Sequence, residues 1–290
     1  KNFGIAGQNE QGEIIRIADA SRGITLFDLL NHSSGLAQDT LGFYQYDTMN
    51  FRPQKGEKLS DVIPKYKDIL LDCDPGTAMG YGAHAAFDTL GYIVELISGM
   101  SFGEYLKKYI TGPLGMKDTT FHPSAEQLSR LVKIYTADGT VTDGPAVQEN
   151  MIGFPESFEG GSSCLLGTVE DYMKFAECLL NGGTLGDAKI LAPDTVKLMS
   201  TPLSTPQMKG FNPDQVWGLS MRVITSENPE FVLPKGTYGW SGAYGTHFII
   251  CPEYRLTAVY ASNLLNGGGS GAPTAFEFEA DIMNALKKQI

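Results

Sequence analysis

The spacing of hydrophobic and polar positions changes along the chain. From Ala85 to Ile97 the apolar residues recur at helical spacing, which places them on one side of a buried helix. Gly99 predicts the end of that helix, since glycine readily adopts the left-handed conformation that closes helices. From Val216 onward, apolar residues alternate with small or polar ones, as in half-buried strands. The pattern predicts a mainly helical region followed by a sheet.

Two further helices have start and stop signals. Thr25 can cap a short helix whose apolar residues Leu26, Leu29 and Leu30 share a face, and Gly35 is suited to end it. Thr168 begins an amphipathic helix that Gly182 ends. These signals extend the helical region on both sides of the helix at 85–97.

The last third of the chain predicts an antiparallel sheet. The alternation from Trp217 to Val223 predicts one strand, and Thr246–Cys251 with Leu256–Ala261 predicts a hairpin. Pro273 then opens a C-terminal helix. We therefore expect an α/β (α+β) fold over one domain, 1–290, with a mainly helical region at about 24–205 and the sheet with its helix at about 215–290. Residues before Lys1 would complete the sheet.

Charge and apolar content limit the classes of partner. The 290 residues have a formal net charge of -11 and no basic cluster, which argues against nucleic acid and anionic membranes as partners. No segment has the ~20 consecutive apolar residues of a membrane helix, so we expect no membrane span. The first residues do not form a signal peptide, and the sequence is compatible with a cytoplasmic or an exported protein.

Cysteine and histidine spacing predicts neither a metal site nor a cofactor. The four cysteines are far apart, without a C-x-x-C pair, so we expect four buried thiols. The four histidines lack metal-ligand spacing. For His32 two interpretations stay open: half of a nucleophilic pair with the adjacent serines, or, as we favour, a structural hydrogen-bonding residue in a turn.

The known nucleophile signatures are absent from the sequence. No serine is followed three residues later by lysine, and there is no G-x-S-x-G segment. Ser33, Ser34 and Ser241 have no lysine or paired histidine in a suitable sequence context, so catalysis by any of them is the least favoured hypothesis.

The stretch from Tyr238 to Thr246 contains three glycines directly before an apolar strand. Glycine in a strand marks either a bulge or a place where another molecule lies against the backbone. From this stretch alone we favour the bulge, and the ligand-facing edge is the alternative.

Several blocks, in order from about Thr25 to Leu264, resemble those of the serine β-lactamase and penicillin-binding-protein-like hydrolases. They are Leu29–Leu36, Pro75–Thr77 with Gly80–Gly82, Ala85–Gly91, Ser98–Phe102, Gly112–Thr119, the helix end at Asn181–Gly183 and Tyr238–Thr246. The resemblance is to the branch that contains class C β-lactamases, D-stereospecific peptidases and carboxylesterases. It implies a β-lactamase/transpeptidase-like fold and acyl transfer through a serine.

The resemblance also implies residue roles. Tyr81 matches the family's catalytic tyrosine, which manages a proton together with a lysine. Ala83 stands where many relatives have asparagine, which argues against a dedicated β-lactamase. Ala243 would supply a backbone NH of the oxyanion hole. Trp240, Ser241, Gly242 and Tyr244 would contact substrate; Trp240 replaces the family's Lys or His and offers an apolar wall in place of a cation.

The family's Ser-x-x-Lys block lies upstream of the block at Leu29–Leu36, so the resemblance puts the nucleophile and its lysine before Lys1. Two hypotheses follow. The first is a serine acyl hydrolase of small esters, amides or β-lactams whose site a separate N-terminal segment completes. The second is an inactive fragment or penicillin-binding-like binding module without a nucleophile.

Overall fold

The computed structural model describes residues 3–38, 40–49, 51–142, 157–228, 231–265 and 272–288. The chain divides into two compact units. The first combines 1–106, 152–165 and 203–212, and the second combines 107–151, 166–202 and 213–290. Each unit is assembled from segments far apart in sequence. The expectation that 1–290 act as one catalytic domain stays a prediction.

The first unit contains a hairpin and several helices. Its elements are β1 (Gly4–Gln8), β2 (Ile14–Asp19), α1 (Leu26–Leu30), α2 (Thr40–Thr48), α3 (Leu59–Val62) followed by a 3₁₀ turn (Ile63–Asp68), α4 (Ala83–Ser98) and α5 (Phe102–Leu106). Its core forms where α4 packs against α1 and α3, around Leu29, Leu59 and Ala85. Removing these side chains from water is the main term that stabilises the unit.

Helix α1 begins as predicted and ends earlier than predicted. Thr25 and Asp28 form a capping box, in which the Asp28 N–H donates to the Thr25 hydroxyl and the Thr25 N–H donates to Asp28 Oδ2. The helix is followed by His32, whose φ of 59° is left-handed; Gly35 comes three residues later. The sequence rule failed because His32 adopts the conformation that glycine usually supplies.

Helix α4 confirms the predicted helix, but its buried side is shifted. Ala85, Ala86 and Asp88 are buried, whereas Ile97 is 81% exposed. The reason is a close approach of the main chain: a Cβ on Gly161 would lie 2.1 Å from the carbonyl oxygen of Phe87. Small side chains allow that approach in the first half of α4, and the last turn extends beyond it.

The second unit contains an antiparallel sheet with helices on both faces. Its elements are a π-helical turn (Lys107–Thr111), α6 (Ala125–Ser129), β3 (Ile134–Tyr135), β4 (Val141–Thr142), α7 (Val169–Leu180), β5 (Thr184–Leu185), β6 (Ala188–Lys189), α8 (Pro193–Met199), β7 (Gln215–Trp217), β8 (Arg222–Ile224), β9 (Tyr238–Ser241), β10 (His247–Cys251), β11 (Leu256–Tyr260) and α9 (Pro273–Lys287). Within the described residues, the strand order of the main sheet is β11-β10-β9-β8-β7.

Strand β10 is buried along its whole length, because helices cover both of its faces. Ile249 packs with Met283 and other side chains of α9, whereas the ring of Phe248 contacts Tyr172 of α7 at 5.0 Å. A strand covered on both faces needs no polar alternation, which explains the apolar run before Cys251.

The segment 216–223 is a hairpin and not the single strand predicted. Strands β7 and β8 pair with Gln215 opposite Ile224 and Trp217 opposite Arg222. Gly218 N–H donates to the Met221 carbonyl at 2.8 Å, and Ser220 has a left-handed φ of 63°. Alternation continues through the turn, so the period alone cannot reveal it.

Cys178 and Cys251 are buried thiols as expected, whereas Cys73 and Cys164 are partly exposed; all four are free. In the described part of the chain, no helix is both long and apolar enough to cross a bilayer.

Candidate active site

Tyr81 lies in the loop that leads into α4, and its surface is 51% exposed. Main-chain contacts hold this loop. Gly80 N–H donates to the carbonyl of His32 at 3.1 Å, and a Cβ on Gly82 would lie 2.8 Å from the carbonyl oxygen of Leu36. The glycines on either side of Tyr81 therefore allow the close path of the backbone, and the tyrosine side chain remains open to solvent.

His32 is a structural residue behind Tyr81. It is 2% exposed, and its ring centroid lies 4.9 Å from that of Tyr81. Gln38 Nε2 donates to its carbonyl oxygen at 2.7 Å. Burial lowers the pKa of His32 to about 3, so the imidazole is neutral near pH 7. These facts favour the structural interpretation over that of a nucleophilic pair.

Ser33 and Ser34, the serines beside His32, are buried. The Ser33 hydroxyl donates to Asn31 Oδ1 at 2.6 Å, and the Ser34 hydroxyl accepts from the Leu36 N–H at 3.2 Å. Both hydroxyls therefore stabilise the turn after α1.

Asp88 was not identified from the sequence. It is wholly buried in α4, and its Oδ1 accepts a hydrogen bond from the Ser162 N–H at 3.0 Å. Within the described residues its Oδ2 has no hydrogen-bond partner. Burial raises the pKa of Asp88 to about 7. The sequence feature that could have identified Asp88 is an aspartate within the apolar helical pattern of 85–97.

The residues Trp240 to Tyr244 form the end of β9 and the turn that leads into β10. Gly242 N–H donates to the Thr246 carbonyl at 2.7 Å, and Gly245 N–H donates to the Gly242 carbonyl at 3.0 Å. Ala243 is exposed near the tip of this turn. Its N–H has no acceptor among the residues that the structure describes.

Aromatic and polar contacts fix both sides of this turn. The ring of Trp240 lies 4.3 Å from that of Trp217, centroid to centroid. The Ser262 hydroxyl donates to the Tyr244 carbonyl at 2.8 Å. The side chain of Trp240 thus belongs to an aromatic pair.

Ser241 has a histidine partner, so the expectation that it lacks one is wrong. Its Oγ lies 2.7 Å from Nδ1 of His247, and Nε2 of the same ring lies 3.1 Å from Oε1 of Glu279. Antiparallel pairing places Ser241 directly opposite His247. The signal in the sequence was the near-symmetric position of the two residues around the glycine-containing turn.

The predicted site residues fall into two groups. Tyr81 belongs to the first unit, whereas Trp240, Ser241, Gly242, Ala243 and Tyr244 lie around one turn of the second. Their catalytic and substrate-binding roles stay predictions. In the described ranges, no three His, Cys, Asp or Glu side chains come together in a way that could hold a metal ion.

Known proteins of similar sequence agree with the resemblance. Protein Rv1367c of Mycobacterium tuberculosis is 30% identical over 267 residues, covering 86% of this chain and 64% of the relative. A putative D-alanyl-D-alanine carboxypeptidase of Escherichia coli is 26% identical over 263 residues, 83% of this chain and 57% of the relative. The chain thus spans less than two thirds of the length of these curated relatives.

Solved structures confirm the predicted fold class. Unliganded simvastatin synthase from Aspergillus terreus superposes with a TM-score of 0.75 at 21% identity, covering 99% of this chain and 74% of that one. EstCE1, a hydrolase with promiscuous acyltransferase activity, gives a TM-score of 0.66 at 20% identity, covering 94% and 74%. The family profile described as Beta-lactamase matches residues 17–279. The chain belongs to the Beta-lactamase family.

Proposed function

We propose that this chain provides most of the active site of a serine acyl hydrolase that works through an acyl-enzyme. A serine and a lysine on a segment before Lys1 would supply the nucleophile and its proton acceptor. Tyr81 relays the proton between the nucleophile and the leaving group, and the Ala243 N–H stabilises the oxyanion. Water then hydrolyses the acyl-enzyme.

The observation that supports this proposal most strongly is the environment of Tyr81. Its side chain is half exposed, although the loop on both sides is held by main-chain contacts to His32 and Leu36. The buried ring of His32 packs against it. A tyrosine on a fixed backbone and open to solvent can meet a substrate with little loss of conformational entropy, as catalysis by positioned groups requires.

The turn at Ala243 supports an oxyanion role. Its N–H has no acceptor in the described residues, and the turn is fixed by the bonds between Gly242 and Thr246 and between Ser262 and Tyr244. A preorganised donor needs no rearrangement when charge develops on the carbonyl oxygen.

The substrate class that we propose is uncharged acyl compounds, namely esters or amides, ahead of β-lactams. Trp240 and Trp217 form an aromatic pair where relatives that bind an acidic group have a cation. An aromatic surface favours apolar acyl or alcohol groups. One relative is named a putative D-alanyl-D-alanine carboxypeptidase, and one fold neighbour is named a hydrolase with promiscuous acyltransferase activity.

The test uses a protein that extends before Lys1 to include a Ser-x-x-Lys segment. We expect hydrolysis of a p-nitrophenyl ester and a covalent adduct of a fluorescent penicillin on the upstream serine, assigned by peptide mapping. Tyr81→Phe should reduce kcat/KM by ~10²–10⁴. Tyr172→Phe, on α7, is the matched control and should leave kcat/KM unchanged.

Absence of both turnover and adduct in a folded sample of the extended protein would contradict the proposal and favour the binding-module hypothesis. Full activity of the Tyr81→Phe variant would contradict only the proposed role of Tyr81, and the rest of the proposal would stand.

A further inference from the structure

The second unit contains a serine, a histidine and a carboxylate in contact. Ser241 and His247 are cross-strand partners in β9 and β10, so their side chains leave the sheet on the same face. That face is covered by α9, where Glu279 lies. The distance from Ser241 Oγ to His247 Nδ1 is 2.7 Å, and His247 Nε2 lies 3.1 Å from Glu279 Oε1.

The carboxylate of Glu279 lies beside Nε2 of His247, whereas the Ser241 hydroxyl lies beside Nδ1. Glu279 is 2% exposed, and burial raises its pKa, but the contacts with His247 and Arg222 outweigh burial and the net pKa is lowered. An ionised carboxylate 3.1 Å from Nε2 favours a proton on that nitrogen through its charge, although Nε2 has no aligned hydrogen-bond acceptor among the described residues. The lone pair of Nδ1 then points at the Ser241 hydroxyl, as general-base activation requires.

Burial differs among these groups in the way that a nucleophile requires. His247 and Glu279 are buried, whereas Ser241 is partly exposed at the end of its strand. The Ala243 N–H, two residues after Ser241, is a donor without an acceptor in the described residues. Ser241 is therefore the member of the three that faces solvent in part, while the imidazole and the carboxylate are shielded from bulk water.

We propose that Ser241 is a second nucleophile of this protein, with His247 as its general base and Glu279 as the positioning residue. Ser241 Oγ forms a bond to the carbonyl carbon of an ester, and its proton moves to Nδ1 of His247. The bond from that carbon to the leaving alkoxide breaks, and the alkoxide takes the proton from Nδ1. Water, deprotonated by His247, then releases the carboxylic acid and restores Ser241.

Arg222 sets the speed of this reaction. Its guanidinium donates to the same Oε1 of Glu279 that faces His247, and it is buried. The guanidinium neutralises part of the charge that would stabilise the imidazolium, so acylation is slower than with an unshared carboxylate. Covalent trapping is therefore a more suitable readout than turnover.

The inference does not rest on the function proposed above. Ser241, His247, Glu279 and Arg222 all belong to the segment 213–290 of the second unit. The chain 1–290 is therefore the protein to test, without an upstream serine.

The experiment treats the chain 1–290 with a fluorophosphonate, whose P–F bond breaks as the Ser241 Oγ–P bond forms and HF leaves. We expect one adduct by intact mass, assigned to Ser241 by peptide mapping. Ser241→Ala should abolish it. His247→Asn retains a hydrogen-bond acceptor near the position of Nδ1 but is not a base, and should reduce the labelling rate by ~10²–10⁴. The matched control is Ser162→Ala, because Ser162 contacts another imidazole, Nδ1 of His84, at 3.3 Å; it should label as the parent does.

An adduct elsewhere, no adduct on a folded sample, or undiminished labelling of His247→Asn would overturn the proposal. If His247→Asn fails to fold by circular dichroism, Ser241→Ala decides, since Ser241 is partly exposed and tolerates truncation. Failure here leaves adduct formation on an upstream serine of the extended protein unaffected, so the two proposals fail separately.

Discussion

The ring of Tyr81 packs against the imidazole of His32, with the two centroids 4.9 Å apart and the planes tilted by 45°. His32 is buried and has a left-handed φ of 59°. A single turn after α1 therefore determines what lies behind the exposed tyrosine.

We predict that the left-handed conformation at His32 is costly for β-branched residues. His32→Val and His32→Asn both lose the buried ring, but asparagine tolerates this conformation and valine does not. His32→Val should therefore be less stable than His32→Asn by about 1–2 kcal/mol. Urea denaturation measures the difference, and equal stabilities would show that the backbone at residue 32 relaxes.

Local signals predicted most of the secondary structure. The caps at Thr25 and Thr168, the stops at Gly99 and Gly182, and the hairpin of β10 and β11 all have direct counterparts in the structure. The failures arose where tertiary contacts decide. The buried side of α4 depends on the main chain at Gly161, which is distant in sequence.

The candidate site was only partly predictable for a similar reason. The resemblance identified Tyr81 and the turn from Trp240 to Tyr244, because their motifs are local. The contacts of Ser241 depend on strand register and on α9, thirty-eight residues further along in the case of Glu279, and no local spacing predicts them. The register could have been inferred from the turn, whereas the position of Glu279 could not.

Asp88 should make stability depend on pH. Its pKa is about 7 in the folded protein against an ordinary value of 3.8, so the folded state holds a proton that the unfolded state loses. The contribution of Asp88 to the free energy of unfolding is fully present below pH ~4 and decreases as the pH rises towards 7. Above that pH the contribution is lost, which lowers the free energy of unfolding by on the order of 4 kcal/mol.

Asp88→Asn cannot ionise and still accepts the Ser162 N–H. We expect it to match the parent near pH 4 and to be more stable at pH 8, as measured by urea denaturation across this range. His84 is present in both proteins, so its titration cancels in the comparison. A pH-independent difference would contradict the raised pKa of Asp88.

Removing one partner of the buried ion pair of Arg222 and Glu279 should lower the free energy of unfolding, whereas replacing both partners by apolar residues should lower it much less. Arg222→Met leaves the carboxylate of Glu279 buried without its guanidinium, and should cost ~3–5 kcal/mol in free energy of unfolding. The double variant Arg222→Met/Glu279→Leu should recover most of this loss, because an apolar pair pays no desolvation penalty.

The exposed pair of Lys235 and Glu227 is the control for that experiment. Lys235→Met should change the free energy of unfolding by ~0–1 kcal/mol, as is usual for surface ion pairs. If Arg222→Met is equally mild, water reaches the buried pair in solution.

Gly239 should be intolerant of any side chain, because β9 and β10 pass too close there. A Cβ at this position would lie 2.1 Å from the carbonyl oxygen of Phe248 and 3.0 Å from Cα of Ile249, which are backbone atoms of a strand buried along its length. Gly239→Ala must therefore separate the strands, and should lower the free energy of unfolding by ~1–3 kcal/mol.

The same separation should lengthen the contact between Ser241 and His247 and slow fluorophosphonate labelling. Gly23→Ala, where nothing lies within 4 Å of the added Cβ, should change neither quantity. A Gly239→Ala protein that is destabilised but labels at the parental rate would show that the Ser241 hydroxyl does not depend on His247 for its reactivity.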